Sequence, residues 1–235
     1  MFSKRTIVLG VLICLLLTGC SVVSKVFPDK AAMNVLSGRE GSDGPVLVVK
    51  IDDTTQAHPQ IGLEDADIVY IEQVEGGLTR LAAVYSSVIP QRIGPVRSAR
   101  ISDIEIMSQF GRVAFAYSGA QSKLLPVIAA ANLQDLGAQR QSPTIFTTDP
   151  NRVQPYAMVL RADLLMQKIR DDNYQIDSAK SIGFKFGPLQ EGGANTSKAV
   201  MLWPAATYSA IWSLDENRWL LSHNNSVNFA DSTST

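Results

Sequence analysis

The chain has 235 residues, with 21 Lys and Arg against 22 Asp and Glu, so its formal net charge is -1. Hydrophobic residues make up 46% and charged residues 18%, which excludes an intrinsically disordered or collagen-like chain. A charge balance this close to neutral also argues against nucleic acid as a partner.

The N-terminus has the organisation of a secretory signal. Lys4 and Arg5 precede an apolar run at residues 7–17, which is shorter than the roughly 20 apolar residues that a transmembrane helix needs. The run ends in Leu17-Thr18-Gly19-Cys20, which resembles a bacterial lipobox, whereas a plain signal peptide or a short membrane helix is the alternative. The resemblance implies a signal peptide at residues 1–19, cleavage before Cys20 and lipidation of Cys20. No cysteine follows Cys20, so the exported part has no disulfide.

Residues 20–44 show no sustained hydrophobic period, and we expect them to be the lipid anchor and a flexible tether. Runs rich in β-branched residues then predict strands at 45–51, 68–74 and 79–88. Gly76 and Gly77 separate the second and third strands, and two glycines in such a place predict a hairpin because tight turns need positive φ.

The middle of the chain predicts helices packed on these strands. Apolar residues recur at near-helical spacing in 101–110, where Ser102 is a candidate N-cap, and further helices are predicted at 124–133 and 161–170. A short strand is predicted at 112–117, and residues 137–156 are expected to be loop.

The last part of the chain has a different character. A linker at 187–197 precedes three predicted strands at 199–203, 208–214 and 219–222. The expected fold class is α+β, a mixed β-sheet with packed helices followed by a partial β-rich unit. We expect one domain at 45–190, then at 191–235 a linker and the truncated start of a β-rich C-terminal domain. The alternative is that the last strands add to the first sheet.

Several enzyme classes lack their motifs here. The sequence has no Gly-Lys-Ser/Thr phosphate loop, no G-x-S-x-G motif and no Ser-x-x-Lys motif. Its two histidines, His58 and His223, are far apart in sequence, which argues against a His-rich zinc site. We therefore expect neither a metal nor a cofactor.

Acidic residues mark two candidate sites. Asp52 follows a predicted buried strand, where a carboxylate can serve a ligand or simply close a turn. Glu72 and Glu75 stand beside the glycine turn, where a carboxyl group acts as a general acid if burial raises its pKa. The alternative for this segment is a hairpin with solvated charges.

A basic segment follows at residues 92–100. Arg97 and Arg100 flank Ser98 after a Gly-Pro turn, and arginine forks suit carboxylate or phosphate groups. The same arginines would equally well neutralise Asp52, Glu72 and Glu75 inside the fold.

Together the strings VVKIDD, ADIVYIEQVEGGLTRLAAVYSS, IGPVRSARISDIEI and FAYSG resemble the YerB-like bacterial lipoproteins, a family of unknown molecular function. The resemblance covers about residues 45–190, although Asp53 and Ala120 depart from the family pattern of Asn and Gly. It implies a lipid-anchored envelope protein and a second, β-rich domain. The signature positions fall on Lys50, Asp52, Glu72, Glu75, Gly76, Gly77, Thr79, Arg80, Gly94, Pro95, Arg97, Ser98, Arg100, Tyr117, Ser118 and Gly119.

These observations lead to one functional hypothesis and two alternatives. The protein is expected to be an exported lipoprotein, anchored through Cys20 to the outer face of the cell membrane, or to an outer membrane where the host has one. It would bind an envelope ligand, the cell wall or an envelope protein. The alternatives are a cell-wall glycan-cleaving enzyme, with Glu75 or Glu72 as general acid and Asp52 as partner, and a purely structural ion-pair core. The expected ligand-binding residues are Asp52, Glu72, Glu75, Arg80, Arg97, Ser98, Arg100, Tyr117 and Ser118.

Overall fold

Fifteen regular elements in the described residues build an α+β fold in this computed structural model, which describes residues 32–188, 192–224 and 226–227. The predicted signal peptide and Cys20 lie outside the described residues. In chain order the elements are β1 Leu47–Asp52, β2 Ile68–Gln73, β3 Thr79–Tyr85, β4 Arg92–Ile93, α1 Ser102–Ser108, β5 Val113–Ala116, α2 Leu125–Ala130, β6 Leu133–Asp135, β7 Phe146–Thr148, β8 Met158–Arg161, α3 Ala162–Asp171, β9 Lys198–Trp203, β10 Ala206–Ser213, β11 Arg218–His223 and β12 Ser226–Val227.

A five-stranded sheet in the order β2-β3-β1-β5-β6 is the centre of the fold. β3 runs antiparallel to β1 and β2, whereas β5 runs parallel to β1 and β6, so the sheet is mixed. This confirms the predicted fold class. All six residues of β1 are buried, as expected for a β-branched run in the middle of a sheet.

Each face of this sheet carries a hydrophobic core because side chains alternate along a strand. On one face, Val49 of β1 packs with Leu160 of β8 and Leu165 of α3. On the other face, Val48 packs with Met107 of α1 and Ile128 of α2. The sheet is thus a middle layer, with α1 and α2 on one side and β8 and α3 on the other.

The predicted loop at 137–156 is wrong in one respect. Residues 146–148 form β7, which pairs with β8 in a small sheet of order β4-β8-β7. Prolines at 143 and 150 flank this strand. The strand has only three residues, which is too few to show the alternation that predicts a strand.

The predicted tether does not extend to residue 44. Leu36 is 1% exposed, and the Arg39 guanidinium donates to the backbone oxygens of Asp65 (2.9 Å) and Ala66 (2.8 Å). The turn is closed locally, because the Asn34 Oδ1 accepts a hydrogen bond from the Leu36 N–H at 2.9 Å. Residues 33–44 therefore pack on the domain, and the tether prediction is wrong for them.

The three predicted C-terminal strands are present and form their own sheet with β12, in the order β12-β11-β10-β9. They do not add to the first sheet. The turn between β9 and β10 docks on the β2–β3 connection, where the Ala205 N–H donates to the Gly77 oxygen at 3.0 Å. The described residues from Met33 onward form one compact unit.

The helices are short. α1 begins at Ser102, but the Ser102 hydroxyl donates to Glu72 instead of capping the helix, so the predicted cap is wrong. The buried face of α1 consists of Asp103 and Met107, whereas Ile101 is 62% exposed. No helix in the described part of the chain is long and apolar enough to cross a membrane.

Candidate functional site

The basic segment lies between the ends of two central strands. The Asp52 N–H donates to the Pro95 oxygen and the Arg97 N–H to the Lys50 oxygen, both at 2.8 Å. On its other side, the Ser118 N–H donates to the Arg97 oxygen at 2.9 Å. Residues 95–99 therefore fill the space between the end of β1 and the residues that follow β5, where open sheets commonly place ligand groups.

Strand register brings the acidic motifs to the same place. Asp52 of β1 is paired with Arg80 of β3, which is paired in turn with Glu72 of β2. Directly paired residues point to the same face of a sheet. The three predicted motifs thus meet at one end of the sheet, on the face covered by α1.

Arg80 and Arg100 converge on the backbone oxygen of Ser98, next to Arg97, and we call these three residues the arginine cluster. The Arg80 Nη1 and the Arg100 Nη1 both donate to the Ser98 backbone oxygen, at 3.1 and 3.4 Å. Arg97 forms an ion pair with the buried Asp52. The hydroxyl oxygens of Ser98 and Ser118 are 3.5 Å apart beside these groups. Seven of the nine predicted ligand-binding residues lie here: Asp52, Glu75, Arg80, Arg97, Ser98, Arg100 and Ser118.

Positive charge is in excess within this cluster. Three guanidinium groups face two carboxylates, those of Asp52 and Glu75. No carboxylate of the described residues lies within ion-pair distance of Arg80. Burial, together with repulsion from Arg100 and Arg97, lowers the pKa of Arg80 to about 10. An anion placed beside Arg80 would relieve that repulsion.

Glu75 is not arranged as a general acid. Its side chain is 58% exposed, and the Arg100 Nε and Nη2 donate to its Oε2 at 2.9 and 2.7 Å. These hydrogen bonds from Arg100 lower the pKa of Glu75, whereas a general acid needs a raised pKa. The enzyme alternative built on Glu75 lacks its physical basis in this geometry.

Glu72 belongs to a buried ionic group with Lys50 and Asp103. The Lys50 Nζ donates to the Glu72 Oε1 and, at 2.7 Å, to the Asp103 Oδ1, while the Ser102 hydroxyl donates to the Glu72 Oε2. Both oxygens of Glu72 are engaged inside the protein, so it is not placed to protonate a substrate. The geometry of Lys50, Glu72 and Asp103 fits a structural ion-pair core better than a ligand-binding site.

Burial raises the pKa of Asp103 from 3.8 to about 6, with Lys50 opposing this shift and Glu72 adding to it. The sequence analysis missed Asp103 because it lies among apolar positions of a helix. Its position three residues after Arg100 is the sequence feature that could have indicated it, because the Arg100 N–H donates to the Asp103 Oδ2 at 2.6 Å.

Tyr117 does not join the arginine cluster as predicted. Its hydroxyl donates to the Asp135 Oδ1 at 2.8 Å, and burial together with this bond raises its pKa above the usual value. Successive residues of an extended segment point to opposite sides, so Ser118 faces Ser98 while Tyr117 faces away. Tyr117 therefore lies apart from the arginine cluster, and its part in ligand binding stays a prediction.

A second polar group, the histidine cluster, lies on the other face of the sheet. It consists of Asp53, His58, Gln60, Thr79, Tyr208 and His223. The Thr79 hydroxyl donates to the Asp53 Oδ2 at 2.7 Å, which leaves the Tyr208 hydroxyl to donate to Thr79 at 3.1 Å. The rings of His58 and His223 are stacked, with centroids 5.0 Å apart.

Sequence reasoning missed the histidine cluster because its two histidines come from opposite ends of the described chain. Only the docking of β10 and β11 on the first sheet brings them together. Among the described residues, no group of three or more His, Cys, Asp or Glu side chains is arranged to hold a metal ion.

The family of this chain follows from its comparison with known proteins. Residues 34–175 match the family described as "Protein of unknown function (DUF3048) N-terminal domain". The match covers more than half of the chain, so the protein belongs to this family. This confirms the resemblance to YerB-like proteins.

Two relatives come from Bacillus subtilis. A segment of 75 residues is 40% identical to "Putative lipoprotein YerB" of strain 168, and it spans 32% of this chain and 22% of that protein. The crystal structure of YerB protein superposes with a TM-score of 0.64 and 20% identity, covering 84% of this chain and 68% of the other. At this identity the superposition shows a common fold.

Proposed function

We propose that the protein is an exported lipoprotein, held at the membrane through lipidated Cys20, whose arginine cluster binds an anionic group of an envelope ligand or partner. Two observations support the anchor. The N-terminal sequence has the order basic start, apolar run and lipobox, and the relative from Bacillus subtilis carries the name lipoprotein.

The binding proposal rests on one observation: Arg80 and Arg100 converge on the Ser98 oxygen, beside Arg97 and its ion pair with Asp52. Guanidinium groups present planar pairs of N–H donors, which match the oxygens of carboxylate and phosphate. Asp52 and Glu75 orient two of the arginines through ion pairs. Arg80, whose described polar partner is a backbone oxygen, is the residue assigned to the anion.

A variant of Arg80 tests the binding proposal. The chain from Cys20 onward, with Cys20→Ala to prevent lipidation, contains the compact unit that the described residues form from Met33 onward. It would be sedimented with purified cell-wall sacculi, with and without inorganic phosphate as competitor. We expect retention on the pellet, displacement by phosphate, and at least about tenfold weaker retention of Arg80→Met, because a hydrogen bond to a charged group contributes about 1.5–3 kcal/mol.

Arg170→Met is the matched control, since Arg170 is exposed on α3 and its loss removes the same charge. Equal retention of Arg80→Met and wild type would contradict the arginine site. The anchor is tested separately in cells by labelling with a palmitate analogue. Cys20→Ala should abolish both the label and the membrane fraction of the protein, and a membrane-bound, labelled Cys20→Ala protein would contradict lipidation there.

A further inference from the structure

A cavity lies between the first sheet and the C-terminal sheet. Its volume is about 280 Å³, which is enough for a small organic molecule. Ile71 and Leu81, which line it, belong to the core opposite the arginine cluster. The cavity is therefore separate from the site proposed above.

The walls of the cavity are largely apolar and come from both sheets. Leu63, Ile71 and Leu81 line it from the first domain, and Trp219 and Leu220 line it from β11. The apolar part of a ligand would be removed from water when it packs on these side chains. Burial of this kind favours binding by about 25 cal/mol for each Å² of apolar surface.

One end of the cavity is polar and holds an acceptor that lacks a donor. Gln60 is 6% exposed, and its Nε2 donates to the Asp53 Oδ1 and to the Asp52 oxygen, both at 3.3 Å. Within the described residues its Oε1 is buried without a hydrogen-bond partner. An unpaired buried acceptor costs about 1–3 kcal/mol, so a ligand that donates an N–H there would recover it.

The charge of this end is negative. Asp53 lines this end, whereas Glu64 and Asp67 line the cavity near the start of β2, where Asp67 is ion-paired with Arg39 at 3.4 Å; the described lining includes no Lys or Arg. Among the described residues, the ion-pair partner of Asp53 is His58, at 3.3 Å, and this ring is charged only when protonated. Burial lowers the pKa of the stacked His223, with Asp53 opposing this shift and His58 adding to it, so the net change favours the neutral ring.

From these contacts we infer that the cavity binds a small organic cation, an ammonium group on an apolar or aromatic body. The ammonium has donors and no acceptor, which suits the Gln60 Oε1 and the Asp53 carboxylate. The body lies between Leu81 and Leu220, beside Trp219. An anion would meet the Asp53 carboxylate and is excluded by charge.

Titration calorimetry with two probes of the same body tests this inference. Phenethylamine and phenethyl alcohol differ in the head group alone, and both would be titrated into the Cys20→Ala chain from residue 20 onward. We expect the amine to bind at least about tenfold more tightly than the alcohol, a difference of about 1.4 kcal/mol. Asp53→Asn should weaken amine binding about tenfold or more and leave alcohol binding unchanged.

Further variants keep the test decisive. Leu220→Trp fills the cavity and should abolish binding of both probes, whereas Asp171→Asn, which removes an exposed carboxylate on α3, should change neither. Where thermal melting shows that Asp53→Asn is unfolded, Gln60→Met replaces it and should lower the preference for the amine. Equal affinity for the two probes, no amine binding at millimolar concentration, or amine binding that survives Leu220→Trp would each overturn the inference. Phosphate competition on sacculi, which tests the arginine cluster, is independent of all these results.

Discussion

Asp103 provides a prediction with a defined sign and pH range. Its pKa is about 6 in the folded protein and 3.8 as an unperturbed side chain, because burial disfavours the charged form. Between these two values the folded protein holds a proton that the unfolded chain has lost. Asp103 therefore contributes stability that is fully present below about pH 4 and is lost as the pH rises through about 6.

The size of the effect follows from the shift. One pKa unit corresponds to 1.36 kcal/mol, so a shift from 3.8 to about 6 corresponds to about 3 kcal/mol of unfolding free energy. Asp103→Asn keeps the shape of the side chain and removes its titration. We expect the free energy of unfolding of this variant, relative to wild type, to rise by about 2.4 kcal/mol between pH 4 and pH 7, because the unfolded chain is already partly ionised at pH 4.

Urea unfolding at a series of pH values from 4 to 7 measures this difference, with tryptophan fluorescence as the signal. Asp171→Asn, at an exposed position of α3, is the control for removal of one carboxylate from the chain. A difference between Asp103→Asn and wild type that is constant over this range would refute the reasoning. So would a variant that becomes relatively less stable as the pH rises.

Two further predictions concern stability. Lys50→Met leaves Glu72 and Asp103 buried without their shared cation. We expect urea unfolding at pH 7 to show a loss of about 3–5 kcal/mol in the free energy of unfolding. A loss below about 1 kcal/mol would show that the ionic group is not stabilising. Gly77→Ala strains a residue with φ of 73° and places its Cβ 2.8 Å from the Pro204 Cβ, whereas Gly76→Ala, at φ of 70°, meets nothing within 4 Å. Gly76→Ala should lower the free energy of unfolding by about 1–2 kcal/mol and Gly77→Ala by clearly more, with faster proteolysis between the two sheets. Equal losses for the two variants would contradict the close approach of Gly77 to Pro204.

The strands and helices that were predicted from the sequence have strong local signals. The run at β1 is apolar over its whole length, and the glycines between β2 and β3 take φ values of 70° and 73°, as the hairpin prediction requires. The same reasoning located α1, but hydrophobicity does not describe its faces, because Asp103 is buried while the apolar Ile101 just before the helix is exposed. Hydrophobic periodicity predicts that the apolar side of a helix is buried and the charged side is exposed. A buried ionic group reverses that prediction.

The candidate sites depend on contacts that local patterns do not contain. Arg97 and Asp52 were both singled out from the sequence, and their ion pair follows from the pairing of residues 95–97 with the end of β1. The stacking of His58 on His223 has no such local signal. It requires the C-terminal sheet to dock on the first sheet, and sequence separation alone had argued against any joint role for the two rings.

Asp52 and Asp53 explain how one end of a sheet supports two chemically opposite sites. Consecutive residues at the end of a strand point to opposite faces. Asp52 therefore faces Arg97 and the excess positive charge around Ser98, while Asp53 faces Thr79 and the cavity whose lining includes no Lys or Arg. The proposed anion site and the proposed cation site therefore rest on neighbouring residues at one strand end. The variants of Arg80 and Asp53 therefore test the two proposed sites separately.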